Sequence, residues 1–260
     1  MIDDLQPEGL DPLIRGDWGR SMTIKESTAS TMDDAHSAAS GAAADGHVVL
    51  ADEQTRGRGA HGRHWVSPPG SDLYFSVVAR PELEPASTAL VTLAAGLGVR
   101  DATASLLPGR VVQVKWPNDI WVDRRKCAGI LVESRTLGSR IESAIIGVGL
   151  NVNRMHWPEE LEGMATSLRA EGPGQETIDR PKVLAAVLFH MEQWVSRLAA
   201  NGASVVVNAL RPNLALRGER IRFEDGRGVF EGIDQNGAAL VRTESGLRTL
   251  HAAHIEPLES

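Results

Sequence analysis

The segment QTRGRGAHGR at residues 54–63 is the most informative stretch of this 260-residue chain. It brings three glycines and three arginines into one loop, directly after the apolar run 47–51. Glycines let backbone amides approach an anion closely, and guanidinium groups neutralise its charge. The spacing matches neither the G-x-x-x-x-G-K-[ST] phosphate loop nor a G-x-G-x-x-G that opens a helix. The loop alone therefore indicates either an anion-binding segment or a solvated turn.

Further along the chain, two motifs place polar groups beside predicted strands. In KWPND, residues 115–119, Pro117 interrupts a strand, so Asn118 and Asp119 come at a strand end where they can face a pocket. In RKCAGILVE, residues 125–133, Lys126 precedes a strand in which Gly129 lets a ligand approach the backbone. The alternatives are a plain turn capped by Asp119 and an ordinary surface lysine.

In a last motif, IGVGLNVN at residues 146–153, an apolar strand that contains two glycines is followed by two asparagines. Polar amides at the end of a buried strand can face a ligand. The same pattern is also typical of a core strand that ends in an asparagine turn.

Periodicity and turn residues divide the chain into three predicted parts, an arm at 1–25, a mixed part at 26–212 and an all-β part at 213–260. The arm has no clear period and is expected to be loosely held. Asn-Gly and Asp-Gly dipeptides separate the short apolar runs of the third part and predict hairpins. Helices are predicted at 33–44, 86–106, 181–200 and 204–210. Strands are predicted at 47–51, 73–79, 111–115, 129–134, 143–150, 221–223, 228–230, 238–241 and 247–250, the third to fifth pairing antiparallel.

Composition excludes several classes of protein. The single cysteine, Cys127, excludes a disulfide framework and a cysteine-cluster zinc site, and it favours a cytoplasmic location. A net charge of -7 excludes nucleic-acid binding by bulk charge. The acidic start MIDD does not predict a signal peptide, and no apolar run reaches the roughly 18 residues that span a bilayer.

In this order, the motifs resemble those of the biotin protein ligases, the biotin–[acetyl-CoA-carboxylase] ligases. The matching residues lie between about 25 and 155 and comprise Ser30-Thr31, Gln54 with the following Gly-Arg-Gly and Gly-Arg, Trp65, KWPND, K-x-A-G-I-L-V-E and G-x-G-L-N. The third part is compatible with the small C-terminal domain of that family, with a looser match. No helix-turn-helix pattern precedes residue 26, so the chain resembles the monofunctional type and not the bifunctional repressor.

The resemblance implies an α+β fold in which helices flank a mixed β-sheet, as in class II synthetases and biotin–lipoate ligases, followed by an SH3-like β-barrel. It implies that biotin attacks MgATP to give biotinyl-5′-AMP and pyrophosphate, and that a carrier lysine then displaces AMP. Biotin, ATP and Mg²⁺ are the implied small molecules. The implied partner is the biotin carboxyl carrier domain of an acyl-CoA carboxylase. Neither DNA nor a membrane is expected as a partner, and the chain is expected to be a monomer or weak homodimer.

The resemblance also implies roles for individual residues. Lys126, Arg58 and Asp119 are the expected catalytic residues, with Asp119 holding Mg²⁺ or positioning the incoming lysine. The expected biotin-binding residues are Ser30, Thr31, Met32, Gln54, Arg58, Gly59, Ala60, Lys126, Gly129 and Ile130. The expected ATP or adenylate residues are Gly57, Arg58, Arg63, Trp65, Lys115, Asn118, Lys126 and Asn151. These roles suit the chemistry, because fixed cations offset the repulsion between two anions, and a buried ureido ring needs hydrogen-bond partners.

One position departs from the family pattern. Ala60 stands where the family usually has the second arginine of Gly-Arg-Gly-Arg-x-Gly-Arg, which helps to retain the adenylate. Arg56 can replace that arginine only if the loop follows a different path. We therefore expect this protein to release some of its biotinyl-AMP.

Two other functions stay open at this level. A lipoate–protein ligase shares the fold and the adenylation chemistry, but a dithiolane cannot use the hydrogen bonds of Ser30, Thr31 and Gln54. A non-catalytic biotin sensor is the second alternative. The presence of Lys126 together with Arg58 favours a retained reaction.

Overall fold

The structure is a computed structural model that describes residues 4–41 and 43–258. Its helices are α1 (Pro7–Leu10), α2 (Thr31–Ser40), α3 (Thr88–Leu106), α4 (Leu168–Glu171), α5 (Arg180–Asn201) and α6 (Ala203–Leu210). Its strands are β1 (Met22–Thr28), β2 (His47–Gln54), β3 (Leu73–Ala79), β4 (Val112–Lys115), β5 (Asp119–Val122), β6 (Arg125–Leu137), β7 (Arg140–Leu150), β8 (Arg220–Phe223), β9 (Gly226–Ile233), β10 (Ala239–Thr243), β11 (Gly246–Leu250) and β12 (Glu256–Pro257).

Two sheets organise these elements. The first has seven strands in the order β1-β2-β3-β7-β6-β5-β4, and only the β1–β2 pair is parallel. The second has five antiparallel strands in the order β11-β10-β9-β8-β12. The predicted α+β class, with a mixed sheet followed by a C-terminal β unit, is confirmed.

The large sheet is covered by helices on both faces, which explains its continuous apolar strands. Successive side chains of a strand point to opposite faces. Val48 of β2 therefore belongs to the main core with α3 and α5, whereas Val49 packs with Met32 and Ala35 of α2. Because α2 connects the parallel strands β1 and β2, its N-terminus lies at the C-terminal end of β2, next to Gln54.

Helix α3 is the hydrophobic centre of the main core. The segment Pro85–Leu106 is long and apolar enough to cross a membrane by length and composition, with a mean hydropathy of 1.2. Here it packs against α5 and the sheet, and most of it is buried. A Cβ at Gly98 would collide with the backbone of Met191, so this glycine lets α3 and α5 approach closely.

The N-terminal segment corrects one prediction. Residues 1–25 were expected to form a loosely held arm, but Leu5, Leu10 and Trp18 are buried in the main core. The predicted boundary at residue 25 falls inside β1, which is half-exposed at the sheet edge and therefore lacks a clear apolar alternation. The predicted boundary at 212 falls in the turn Arg211–Asn213, after α6.

Strand β5 was also missed, and it separates β4 from β6, which were expected to be neighbours. The remaining predicted helices and strands are present with shifted ends, and β3 coincides with its prediction.

The C-terminal sheet contacts the part of the chain that carries the seven-stranded sheet. The Trp116 indole donates a 2.9 Å hydrogen bond to the Gly237 carbonyl, and Arg124 forms a bidentate ion pair with Glu219 at 2.7 and 2.9 Å. The Trp116 contact lies at the end of β4, where the KWPND motif begins, and the Arg124 pair lies near the start of that strand.

Candidate functional site

A cleft of about 430 Å³ opens where α2 begins and β2 ends. Its walls bring together segments that are far apart in the sequence. They are Thr31, Met32, Gln54, Arg58, Gly59, Ala60, Trp65, Asn118, Lys126, Gly129, Ile130, Leu131 and 147–149. Eleven of these are residues that the sequence assigned to a ligand.

One end of the cleft is a set of hydroxyl and amide groups. The backbone amide and the hydroxyl of Thr31 donate to Gln54 Oε1 at 2.9 and 3.1 Å, and Gln54 Nε2 donates to the Ser67 hydroxyl. Ser30 is the N-cap residue of α2, but its side chain makes no capping hydrogen bond. Its buried hydroxyl has no hydrogen-bond partner among the described residues. Since a buried hydroxyl without a partner is unfavourable, Ser30 is suited to bind a polar ligand.

Two glycines on neighbouring strands form a flat surface under Trp65. Gly129 of β6 and Gly149 of β7 are directly opposite each other, and a Cβ at either position would collide with the Trp65 ring. Gly129 was expected to let a ligand approach the backbone. In the structure the Trp65 indole packs over both glycines, and all three residues line the cleft.

Lys126, Asp119 and Lys115 form a charged row beside Trp65. The Lys126 ammonium lies 2.6 Å from Asp119 Oδ1 and 5.1 Å from the centre of the Trp65 ring, and Lys115 lies 3.6 Å from Asp119 Oδ2. Burial alone would raise the pKa of Asp119, but Lys126 and Lys115 outweigh it and hold that pKa below its usual value. Burial lowers the pKa of Lys115, and Asp119 opposes this shift. The half-buried Lys126 is the member of the row that lines the cleft.

The glycine-rich loop adopts a path that the sequence did not predict. Arg58 was expected to face an anion, but its guanidinium contacts Asp33 Oδ1 at 2.8 Å and also pairs with Glu133, because both carboxylates lie within its reach. The Gly59 amide, also expected at the anion, donates to the Arg63 carbonyl at 2.8 Å.

The loop also separates two cavities. Arg58, Gly59 and Ala60 line both the first cleft and a second, open one of about 710 Å³. Arg56 and Arg63 line only the second. Gly57 also lines the second cavity, and a Cβ at this position would collide with the Trp65 carbonyl.

Two predicted residues have structural partners. Asn118 lines the cleft, but its amide nitrogen donates to the Ile130 carbonyl at 2.8 Å. Asn151, expected at the adenosine, is buried, and its amide nitrogen donates to the Thr166 carbonyl at 3.0 Å. Asn151 therefore lies behind the cleft and holds the segment that pairs with Lys126.

Several residues at the site were not predicted. Asp33 and Glu133 hold Arg58, His36 lies 2.8 Å from Glu133, and Leu131 and Gly149 line the cleft. The two glycines of the IGVGLNVN motif could have predicted that Gly149 lines the cleft. The pairing of Arg58 with acidic residues 25 and 75 positions away had no such signal.

The arrangement can bind a molecule that has a polar ring at one end and a carboxylate at the other. The hydroxyl and amide set would bind the ring, and the strand at Gly129 and Ile130 would contact an apolar chain. The Lys126 ammonium would then stand beside the carboxylate and offset the repulsion of a second anion.

Comparison with known proteins agrees with this chemistry. Residues 24–151 match the model described as the biotin/lipoate A/B protein ligase family, and residues 217–256 match that of the biotin protein ligase C-terminal domain. A bifunctional ligase/repressor of Bacillus subtilis is 34% identical over 245 residues, which cover 92% of this chain and 74% of the relative. A biotin–[acetyl-CoA-carboxylase] ligase of Mycobacterium tuberculosis is 34% identical over 236 residues, which cover 87% and 85%. The structure of a biotin protein ligase from Aquifex aeolicus with biotin and ATP gives a TM-score of 0.79 at 26% identity, covering 92% of this chain and 100% of that one.

Proposed function

The chain belongs to the biotin/lipoate A/B protein ligase family, and from this we infer that its cleft is the active site of a biotin protein ligase. The enzyme uses ATP to attach biotin to a lysine of a carrier protein, through biotinyl-5′-AMP. One observation carries the assignment of the site. Thr31 and Gln54, which suit a ureido ring, share one cleft with the Lys126 ammonium, which suits a carboxylate.

The first step joins two anions. A biotin carboxylate oxygen attacks the α-phosphorus of ATP, the bond to the β-phosphate breaks, and pyrophosphate leaves with its electron pair. The Lys126 ammonium stands where this charge develops and stabilises it without rearrangement, since Asp119 already holds it in place. In the second step the amine of the carrier lysine attacks the biotinyl carbonyl, AMP leaves, and the amine loses a proton.

We propose that Asp119 positions Lys126 and does not hold Mg²⁺. Both of its carboxylate oxygens face ammonium groups, which repel a further cation. The described residues also contain no group of three acidic, histidine or cysteine side chains that could hold a metal. In nucleotide sites Mg²⁺ is commonly bound by the phosphates of the substrate, so here it is part of the MgATP substrate.

The remaining roles are proposals of the same kind. Ser30, Thr31 and Gln54 bind the ureido ring, and Met32, Gly129 and Ile130 contribute to the biotin pocket. Gly57, Arg58, Arg63, Trp65, Lys115 and Asn118 serve the nucleotide half, and Asn151 supports the site from behind.

The acceptor is the biotin carboxyl carrier domain of an acyl-CoA carboxylase. The monomeric or weakly dimeric state, the absence of DNA and membrane partners, and the cytoplasmic location stay predictions from the sequence.

ATP–pyrophosphate exchange by the purified protein tests the function. Exchange should require biotin and should not occur with lipoate or with neither acid. Exchange with lipoate alone would show that the protein is a lipoate–protein ligase. Lack of exchange with both acids would contradict the catalytic role of Lys126.

Replacing Ala60 with arginine should slow the release of biotinyl-AMP. Ala60 lines both cavities, and Arg56 lies in the second one and does not replace the missing arginine at the first. A hydrogen bond to a charged group contributes about 1.5–3 kcal/mol, so the adenylate should dissociate from the natural protein roughly tenfold to a hundredfold faster than from Ala60→Arg. Pre-formed labelled adenylate, chased with unlabelled biotin and ATP, gives both rates. Ala60→Gln controls for side-chain bulk, and equal rates for the natural protein and Ala60→Arg would contradict the expectation.

A further inference from the structure

The C-terminal domain places a histidine against the glycine-rich loop. His254 precedes β12, and its Nδ1 lies 3.1 Å from Nη2 of Arg63, which belongs to the loop of the catalytic domain. Nε2 lies 2.9 Å from Glu256 Oε1 and, at the longer distance of 3.4 Å, from Nη1 of the same arginine. His254 therefore connects the C-terminal domain to Arg63, which lines the second cavity.

The chemistry of these contacts requires a neutral imidazole. Arg63 has only donors, so Nδ1 must accept, and Glu256 is an acceptor, so Nε2 must carry the proton. We assign this tautomer from the hydrogen-bond network. Glu256 is held in turn by Arg222 at 2.8 Å, and the His254 backbone amide donates to Glu224 at 2.8 Å.

The surrounding charges favour the neutral form. Burial lowers the pKa of His254, as do the cations Lys115 and Arg63, while Glu256 opposes the shift. Acidification would add a third positive charge beside Arg63 and Lys115 and remove the lone pair that accepts from Arg63.

We propose that neutral His254 is a positioning residue that holds Arg63 toward the nucleotide, so that ATP affinity depends on a contact from the C-terminal domain. This rests on the proposed function only through the role of Arg63 at the ATP polyphosphate. If His254 had only a structural role, its replacement would weaken the binding of biotin and of ATP alike. If it positions Arg63, its replacement weakens the binding of ATP alone.

The test compares His254→Ala, His254→Gln and the control His251→Gln, a histidine three residues away that is exposed. The dissociation constant of ATP is measured by calorimetry, and the KM values of ATP and biotin by pyrophosphate exchange. His254→Ala should weaken ATP binding about three- to tenfold and leave the KM of biotin unchanged. His254→Gln should restore affinity, because its amide can accept from Arg63 and donate to Glu256. His251→Gln should match the natural protein.

Because the pKa of His254 lies below the ordinary histidine value of about 6.5, ATP affinity measured from neutral pH to well below that value gives the second readout. Acidification should weaken ATP binding more in the natural protein than in His254→Gln, which cannot titrate. The proposal is overturned if His254→Ala binds ATP normally, if it weakens ATP and biotin equally, or if His254→Gln keeps the full pH dependence. If the natural protein binds ATP but shows no biotin-dependent exchange, only the proposed function is contradicted. If it does not bind ATP, the proposed function and the role of His254 are both overturned.

Discussion

Replacing Lys126 with glutamine is expected to lower biotin-dependent ATP–pyrophosphate exchange by about 10²- to 10³-fold, the usual effect of removing one fixed group that stabilises developing charge. Glutamine keeps most of the side-chain length, and its amide can still contact Asp119, so the loss reflects the charge. Single-turnover formation of biotinyl-AMP measures the chemical step directly. Lys182→Gln removes an exposed lysine that is not part of the cleft wall and should leave the rate unchanged.

The ion pair with Asp119 allows a second explanation of such a loss, in which Lys126 only neutralises the Asp119 carboxylate. Lys126→Gln leaves the buried Asp119 carboxylate with only the more distant Lys115, so a loss of activity could arise from that unbalanced charge. The double variant Lys126→Gln/Asp119→Asn removes both charges. If Lys126 acts on the reacting groups, the double variant stays inactive. Recovery of exchange to within about tenfold of the natural protein would show that Lys126 only neutralises Asp119.

Short-range patterns predicted the elements that carry a continuous apolar run or a regular apolar stripe. The strand at 73–79 and the helices α3 and α5 follow from continuous apolar runs or a helical stripe. β5 escaped prediction because the turn into β6 uses Asp123 and Arg124 with positive φ angles of 45° and 69°, although neither residue is a glycine. Asp123 suits such a turn but Arg124 does not, so the pair is a weak signal in the sequence.

The residues that the motifs singled out share one cleft, while their roles stay predictions. Thr31, Gln54 and Lys126 line the cleft as expected. The conformation of Arg58 was not predicted, because it depends on which carboxylates tertiary folding brings near it. His254 was missed for the same reason, since its contact with Arg63 joins residues 191 positions apart.

The replacement of Asp72 with asparagine is expected to destabilise the fold by about 3–5 kcal/mol, the usual result of leaving one member of a buried ion pair without its partner. Asp72 is 0% exposed, and its carboxylate binds Arg154 at 2.7 Å and the Val152 amide at 2.9 Å. The Tyr74 hydroxyl also donates to it at 3.1 Å, and burial together with Asp72 raises the pKa of Tyr74. Urea denaturation of the full chain measures the loss.

Two further variants separate the charge from the packing. Asp17→Asn disrupts an exposed ion pair with Arg20 and should change stability by less than about 1 kcal/mol. Asp72→Asn/Arg154→Met removes both buried charges and should recover part of the loss, because no guanidinium is left unpaired. A loss below about 1 kcal/mol for Asp72→Asn would mean that water or Tyr74 compensates Arg154. The Val152 amide donates to Asp72 and the neighbouring Asn151 amide donates to the Cys127 carbonyl, so the Asp72 network also fixes the backbone next to Lys126.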